Sequence, residues 1–227
     1  MTRRTIAAAV LVPVICVGTW FGAPKLLRRI GFFHIHRVDV VGNVYLDEHD
    51  VVRRLGLARD ASIFDPLDRV RAAVAGIPGT VGRSASVERR FPGTLRVKIV
   101  ETRPVALASV NDQLALLDYR GRVLPFDPAR VPTSLPVAER DSTTAALLDR
   151  LRQVDPRGYA DVQSARPERG DILLDLGDHT VRVRPNADTE TLRSIAAVRS
   201  YLEANNRQWI EIDARYEGRG VVRKAKA

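Results

Sequence analysis

Catalysis and metal binding usually begin from histidine, cysteine or a close pair of carboxylates, and this sequence offers few such groups. His34 and His36, two of its four histidines, are separated by one residue. On a strand both rings would share a face and could share a metal, yet no nearby carboxylate or cysteine completes a ligand set. Asp175, Asp178 and His179 gather around Gly177, and a Gly-Asp hairpin turn accounts for that cluster without catalysis. Glu168 and Asp171 would act as an acid/base pair only inside a cleft, whereas paired surface acids ordinarily face water. Gly218-Arg219-Gly220 is too short for a dinucleotide fingerprint, and the chain has no Gly-x-Ser-x-Gly elbow, no His-Glu-x-x-His helix and no phosphate-cradling loop. The expectation is therefore no catalytic residue, no metal, no cofactor and no small-molecule substrate.

Composition narrows the classes further. At 227 residues and 45% hydrophobic content the chain can build one or two modest cores. Lys plus Arg number 36 against 27 Asp plus Glu, a formal charge of +9, which suits anionic lipid, nucleic acid or acidic partners. Lysine occurs only at Lys25, Lys98, Lys224 and Lys226, and the arginines are scattered rather than gathered with aromatics. Nucleic-acid binding is not expected from that distribution. Cys16 is the sole cysteine, so no intrachain disulfide and no cysteine metal site can form.

The elements that must position any site begin with an anchor. Residues 5–24 carry no charge and are long enough to cross a hydrocarbon core as a helix, with Val10, Leu11 and Ile15 in the span. Trp20 and Phe21 stand near its distal end, at headgroup level. A cleavable signal peptide is the rival reading, with Gly22-Ala23 near a cleavage site, but the run is long and Lys25, Arg28 and Arg29 follow directly. The basic residues after the run outnumber Arg3 and Arg4 before it, opposite to the positive-inside tendency for an exported domain.

Beyond the anchor, residues 33 to 103 read as strand, helix, helix, strand, strand. His36, Val38 and Val40 alternate with Arg37 and Asp39, and Gly42-Asn43 turns the chain. Asp47 is placed as an N-cap, with Val51 and Leu55 on one helical face and Gly56 as the stop. Asp65-Pro66 reads as cap plus first position of a second helix carrying Leu67, Val70 and Val74, ended by Gly76 and Pro78. Two strands follow, joined by Phe91-Pro92-Gly93. After Pro104 come a hairpin about Asn111-Asp112, a turn at Arg120-Gly121, and a proline-rich irregular passage from Pro125 to Pro136. A helix with Leu147, Leu148, Leu151 and Val154 is next, then a hairpin about Gly177-Asp178. A helix capped by Asp188 or Thr189 ends near Asn205-Asn206, and strands over Trp209 to Tyr216 and Val221 to Lys224 close the chain.

This order resembles the bacterial FtsQ/DivIB cell-division family. The resemblance rests on Val38-Asp39-Val40-Val41-Gly42-Asn43, on Ser62-Ile63-Phe64, and on Val87 through Leu95 with its Arg89-Arg90-Phe91-Pro92-Gly93 core. Val100-Glu101-Thr102-Arg103-Pro104-Val105-Ala106 and Ile212-Asp213-Ala214-Arg215-Tyr216 with Val221-Val222 extend it to the far end. It implies an α+β protein: a cytoplasmic tail at 1–4, a transmembrane helix at 5–24, a linker at 25–34, and a POTRA domain (β-α-α-β-β) at 35–103. A strand-rich β domain with flanking helices at 104–222 and a basic tail at 223–227 complete it. It implies a non-catalytic divisome scaffold in the inner membrane at the septum, with its bulk periplasmic. The implied partners are FtsB-like and FtsL-like coiled-coil proteins, with other divisome members reaching the POTRA domain. In the family the partner adds partly as a strand beside the closing strands, which here would involve Arg215, Tyr216, Gly218, Val221 and Val222, with Arg169 as a second arginine. Lys224 stands where some members place a bulky aromatic. The alternatives are a POTRA-bearing secretion or assembly chaperone and a signal-anchored extracytoplasmic hydrolase.

Overall fold

The computed structural model describes residues 27–28, 30–131, 134–216 and 219–224. They divide into two compact units between Glu101 and Thr102. The uncharged run at 5–24, with the anchor residues Val10, Leu11, Ile15, Trp20 and Phe21, lies outside the described residues. Among the described residues no helix is long and apolar enough to cross a membrane.

The first unit has the expected order: β1 (Arg37–Val41), α1 (Glu48–Arg54), α2 (Asp68–Ala75), β2 (Ser86–Arg90) and β3 (Thr94–Lys98). β3 is central, parallel to β1 and antiparallel to β2. Alternation puts Leu95 and Val97 of β3 on one face, where they are buried with Val51, Leu55, Val70 and Val74 of the helices. Asp47 caps α1 by accepting from the His49 N–H at 2.8 Å. Gly42 (φ +91) must be glycine, since a Cβ there would collide with the carbonyl oxygen of Ile99. The same corner is held by Glu101, whose carboxylate accepts from the Val44, Tyr45 and Leu46 N–H groups at 2.8–2.9 Å. Three backbone donors on one buried carboxylate leave it no unmet demand.

One local expectation fails here. α2 begins at Asp68 with Leu67 at the cap position and no side-chain cap bond. Asp65 instead accepts from the Ser62 N–H at 2.7 Å, closing a turn ahead of the helix. An aspartate satisfies whichever free N–H its short side chain reaches, and here a preceding turn supplies one.

In the second unit β4 (Ala106–Val110) and β5 (Gln113–Leu117) form a hairpin whose turn residues Asn111 and Asp112 both have positive φ, the geometry that matches strand twist. β6 (Val123–Leu124), β7 (Val137–Ala138), α3 (Ser142–Val154), α4 (Pro156–Asp161) and β8 (Ser164–Glu168) follow. Then come β9 (Asp171–Asp175), β10 (Thr180–Val183), α5 (Thr189–Ala204), β11 (Glu211–Tyr216) and β12 (Arg219–Arg223). The described strands form one sheet ordered β12-β11-β10-β9-β8-β7-β4-β5-β6. Its inner face, with Ala106, Ala165, Ile172, Leu174, Val181 and Ile212, is buried with Leu147, Leu148 and Leu151 of α3 and Leu192, Ile195 and Leu202 of α5.

The proline-rich passage is more than an irregular connection. It contains a 3-10 turn at Pro128–Arg130 that packs beside β5, and it ends in β7, which bridges β4 and β8. Leu116, Leu124 and Phe126 are buried outside the main core, so the passage covers the outer face at the β6 end. β8 carries no strand signal because Pro167 interrupts it. On β8, the partners of β7 are Ser164 and Ala165, so Pro167 lies past that pairing.

Candidate functional site

The nine-stranded sheet has two ends. β6 is two residues long, whereas β12 runs five residues and, among the described residues, pairs on one side only, with β11. β11 itself lies between β10 and β12, so the vacant hydrogen-bonding border belongs to β12. Such a border carries N–H and C=O groups able to pair with another chain.

Of the six candidate residues, Val221 and Val222 lie on this border strand. Val221 is 50% exposed, while Val222 packs partly against the core. They face opposite sides, because Val222 sits beside the buried Ile212 and Val221 beside Asp213. Tyr216 ends β11, is 55% exposed and pairs with Arg219 past an irregularity in register. Gly218 lies outside the described residues. Arg169, with φ +53, forms the β8–β9 turn with Gly170. Asp171, which leaves that turn, binds Arg215 at 3.2 Å, so Arg169 is at the same end of the sheet as the β11–β12 turn.

Arg215 is the residue most engaged by its own domain. Its Nε donates to Asp213 Oδ1 at 2.8 Å, its Nη2 to Asp213 Oδ2 at 2.6 Å and its Nη1 to Asp171. The guanidinium lies 5.9 Å from the Tyr216 ring centre. Its side-chain hydrogen bonds hold the Asp213 carboxyl below the usual carboxylate range, and Asp213 in turn raises the Arg215 pKa. Three of five guanidinium N–H groups are thereby taken, which leaves Arg215 a positioning role beside Tyr216 and only two donors for another chain.

Sequence reasoning overlooked the network around this pair. Arg182 of β10 binds Glu168 at 3.4 Å and Glu211 at 3.2 Å, and Arg223 of β12 binds Glu211 at 3.2 Å. Acid and base thus alternate on the outer face from β8 to β12. The signal was present as charges at every second position of β11: Glu211, Asp213 and Arg215. The Glu168 and Asp171 pair is absorbed into the same network rather than lining a cleft.

The other chemical candidates do not converge either. His36 Nδ1 lies 3.1 Å from the His34 carbonyl oxygen, a backbone contact rather than a shared metal direction. Asp175 accepts from the Gly177 N–H at 2.9 Å in a turn, while the His179 ring stacks on Trp209 with centres 4.0 Å apart. Among the described residues no group of three His, Cys, Asp or Glu could hold a metal ion.

Residues 33–102 match the POTRA domain, FtsQ-type. Over 203 residues the chain is 29% identical to the cell division protein FtsQ of Bartonella bacilliformis, covering 86% of this chain and 64% of that protein. It is 30% identical over 124 residues to the FtsQ of Koribacter versatilis, covering 52% of this chain and 35% of the relative. The FtsQ of Rickettsia bellii is 24% identical over 198 residues, with coverages of 85% and 73%. The chain therefore spans less than two thirds of the length of the first two relatives. The POTRA match, these alignments and the strand-helix-helix-strand-strand unit joined to a strand-rich sheet agree in one respect: the chain carries an FtsQ-type POTRA domain and is similar to FtsQ cell-division proteins over most of its length.

Proposed function

We propose that this chain is a non-catalytic cell-division scaffold that captures a partner by strand addition along β12. The open border of β12 carries the reading: five residues of edge, an exposed Val221 and an exposed Tyr216 at the β11 end. Backbone pairing would supply affinity, and alternate side chains would supply selectivity. The partners it would recruit are an FtsB-like and FtsL-like coiled-coil pair. The run at 5–24 would hold the chain in the cytoplasmic membrane with its bulk outside, at the septum. Confinement to that surface raises the effective concentration of the two sides, so recruitment needs no reaction. Other divisome members would contact the POTRA domain.

Replacing Tyr216 with Ala tests the site in the full chain. Co-purification of the FtsB-like protein should fall at least ~10-fold, the loss expected when a central aromatic anchor is truncated at a cost above about 1.4 kcal/mol. The melting temperature should hold, because the ring is half exposed. Unchanged capture would remove Tyr216 from the site. Capture of unfolded clients in place of the coiled-coil pair would favour the chaperone reading.

A further inference from the structure

The POTRA unit carries a second surface that the β12 reading does not use. Four phenylalanine rings form a chain across it: Phe32 to Phe33 at 5.2 Å, Phe33 to Phe64 at 5.1 Å and Phe64 to Phe91 at 5.5 Å between centres. The inner two, Phe33 and Phe64, pack against the POTRA core. The outer two face solvent, Phe32 being 65% and Phe91 62% exposed. Two mostly exposed phenylalanines on an aromatic base are an uncommon expense for a soluble surface, since the larger part of each ring buries nothing within the unit.

What covers them follows from where the chain comes from. Arg28 Nε lies 3.3 Å from the Phe64 carbonyl oxygen and 3.4 Å from the Asp65 carboxylate. Arg28 is four residues beyond Pro24, the last residue of the uncharged run. Four extended residues reach about 14 Å at most, so the chain leaving that run is tied to the aromatic base within roughly half the thickness of a hydrocarbon core. Cations accompany the patch as well: Arg28 contacts the Phe64 carbonyl and Asp65, and Arg90 directly precedes Phe91 and is exposed. Exposed aromatics with basic residues beside them suit the headgroup layer of an anionic bilayer, where rings enter the acyl boundary and cations meet phosphates.

We propose that Phe32 and Phe91 seat the POTRA unit on the bilayer surface as a second, peripheral lipid contact beside the anchor. This rests on the anchoring part of the proposed function. The patch then sets the unit's orientation against the membrane, with β2 and its Phe91-Pro92-Gly93 turn lipid-facing.

The test uses the full chain, with Cys16→Ser and a spin label at Arg90→Cys, in vesicles of phosphatidylglycerol and phosphatidylethanolamine. A second sample is labelled at Tyr201→Cys on α5. The label at 90 should show an oxygen-to-aqueous-nickel accessibility ratio several-fold above that at 201. Adding Phe32→Ser and Phe91→Ser should bring the two labels to the same aqueous value, while capture of the FtsB-like protein at β12 persists. An aqueous signal at 90 with both phenylalanines present overturns the proposal, as does a lipid signal that survives their replacement. A signal that arises only when division proteins are added would make the patch a protein-docking surface and also overturn it. Release of the chain from the vesicles by carbonate would instead overturn the anchor reading, and the lipid seat with it.

Discussion

The two ends of the nine-stranded sheet are finished in opposite ways. At one end β6 contributes only two residues, and Phe126 of the proline-rich passage is buried there, as are Leu116 and Leu124. At the other, β12 extends five residues with Val221 exposed and nothing among the described residues paired to its outer side. A very short edge strand is one way proteins limit unplanned pairing, and a long one carries that hazard unless a partner occupies it. The same sheet therefore contains its own control: protection was available to this fold and was applied at one border only.

The largest test breaks the protected end. Phe126→Ala removes a buried ring from the cover and should cost about 3–5 kcal/mol in urea unfolding, with concentration-dependent self-association as β6 is uncovered. A variant that stays equally stable and monomeric would show that the passage does not guard that edge. Val221→Lys addresses the open end by placing an edge-blocking charge on a half-exposed site. It should weaken partner capture by at least ~10-fold, about 1.4 kcal/mol, with unfolding unchanged. Val123→Lys on β6 is the matched substitution and should leave capture as it was; equal losses at both ends would dissolve the distinction.

Smaller effects report on what holds β12 in place. Arg215→Met strands the buried Asp213 carboxylate and should lower the melting temperature more than Arg223→Ala, whose partner Glu211 keeps Arg182. The Asp213 carboxyl is held low in the folded chain by hydrogen bonds from Arg215. Its contribution is thus complete above the unfolded carboxylate value near ~3.9 and is lost as pH falls through the lower folded value. Acid unfolding of the Asp213→Asn variant should consequently be less steep in that range. At the alkaline side, burial pushes Tyr159 up to about 12, and its hydroxyl donates to the Val105 carbonyl at 2.7 Å. Stability should decline as pH rises from the unfolded tyrosine value near ~10 through that folded value, and Tyr159→Phe should flatten the decline.

Much of the architecture was legible from local chemistry. Asp47, Asp188 and the Asn111-Asp112 turn behave as their side chains dictate, because a cap or a two-residue hairpin is settled within a few residues. Asp65 shows the limit of that logic, since two nearby turns compete for one carboxylate. β7, α4 and β8 escaped detection for a different reason: two residues, six residues and a strand containing Pro167 carry too little periodicity to register. Of the candidate site, Tyr216, Val221 and Val222 come from the family resemblance, and their place on the closing strands follows from the alternation there. That Arg215 is held by Asp213 and Asp171 could not be read from the sequence, because Asp171 is 44 positions away.

By itself, the sequence determined the strand-helix-helix-strand-strand unit, the uncharged run ahead of it and the alternating closing strands, since all three depend on the spacing of apolar residues along the chain. Only the tertiary structure decided which border of the sheet is left open. Edge status depends on the order in which distant strands pair, and β11 and β12 read alike until β10 is seen to occupy the far side of one of them. The tie between Arg28 and Phe64 is of the same kind, because it joins residues 36 positions apart.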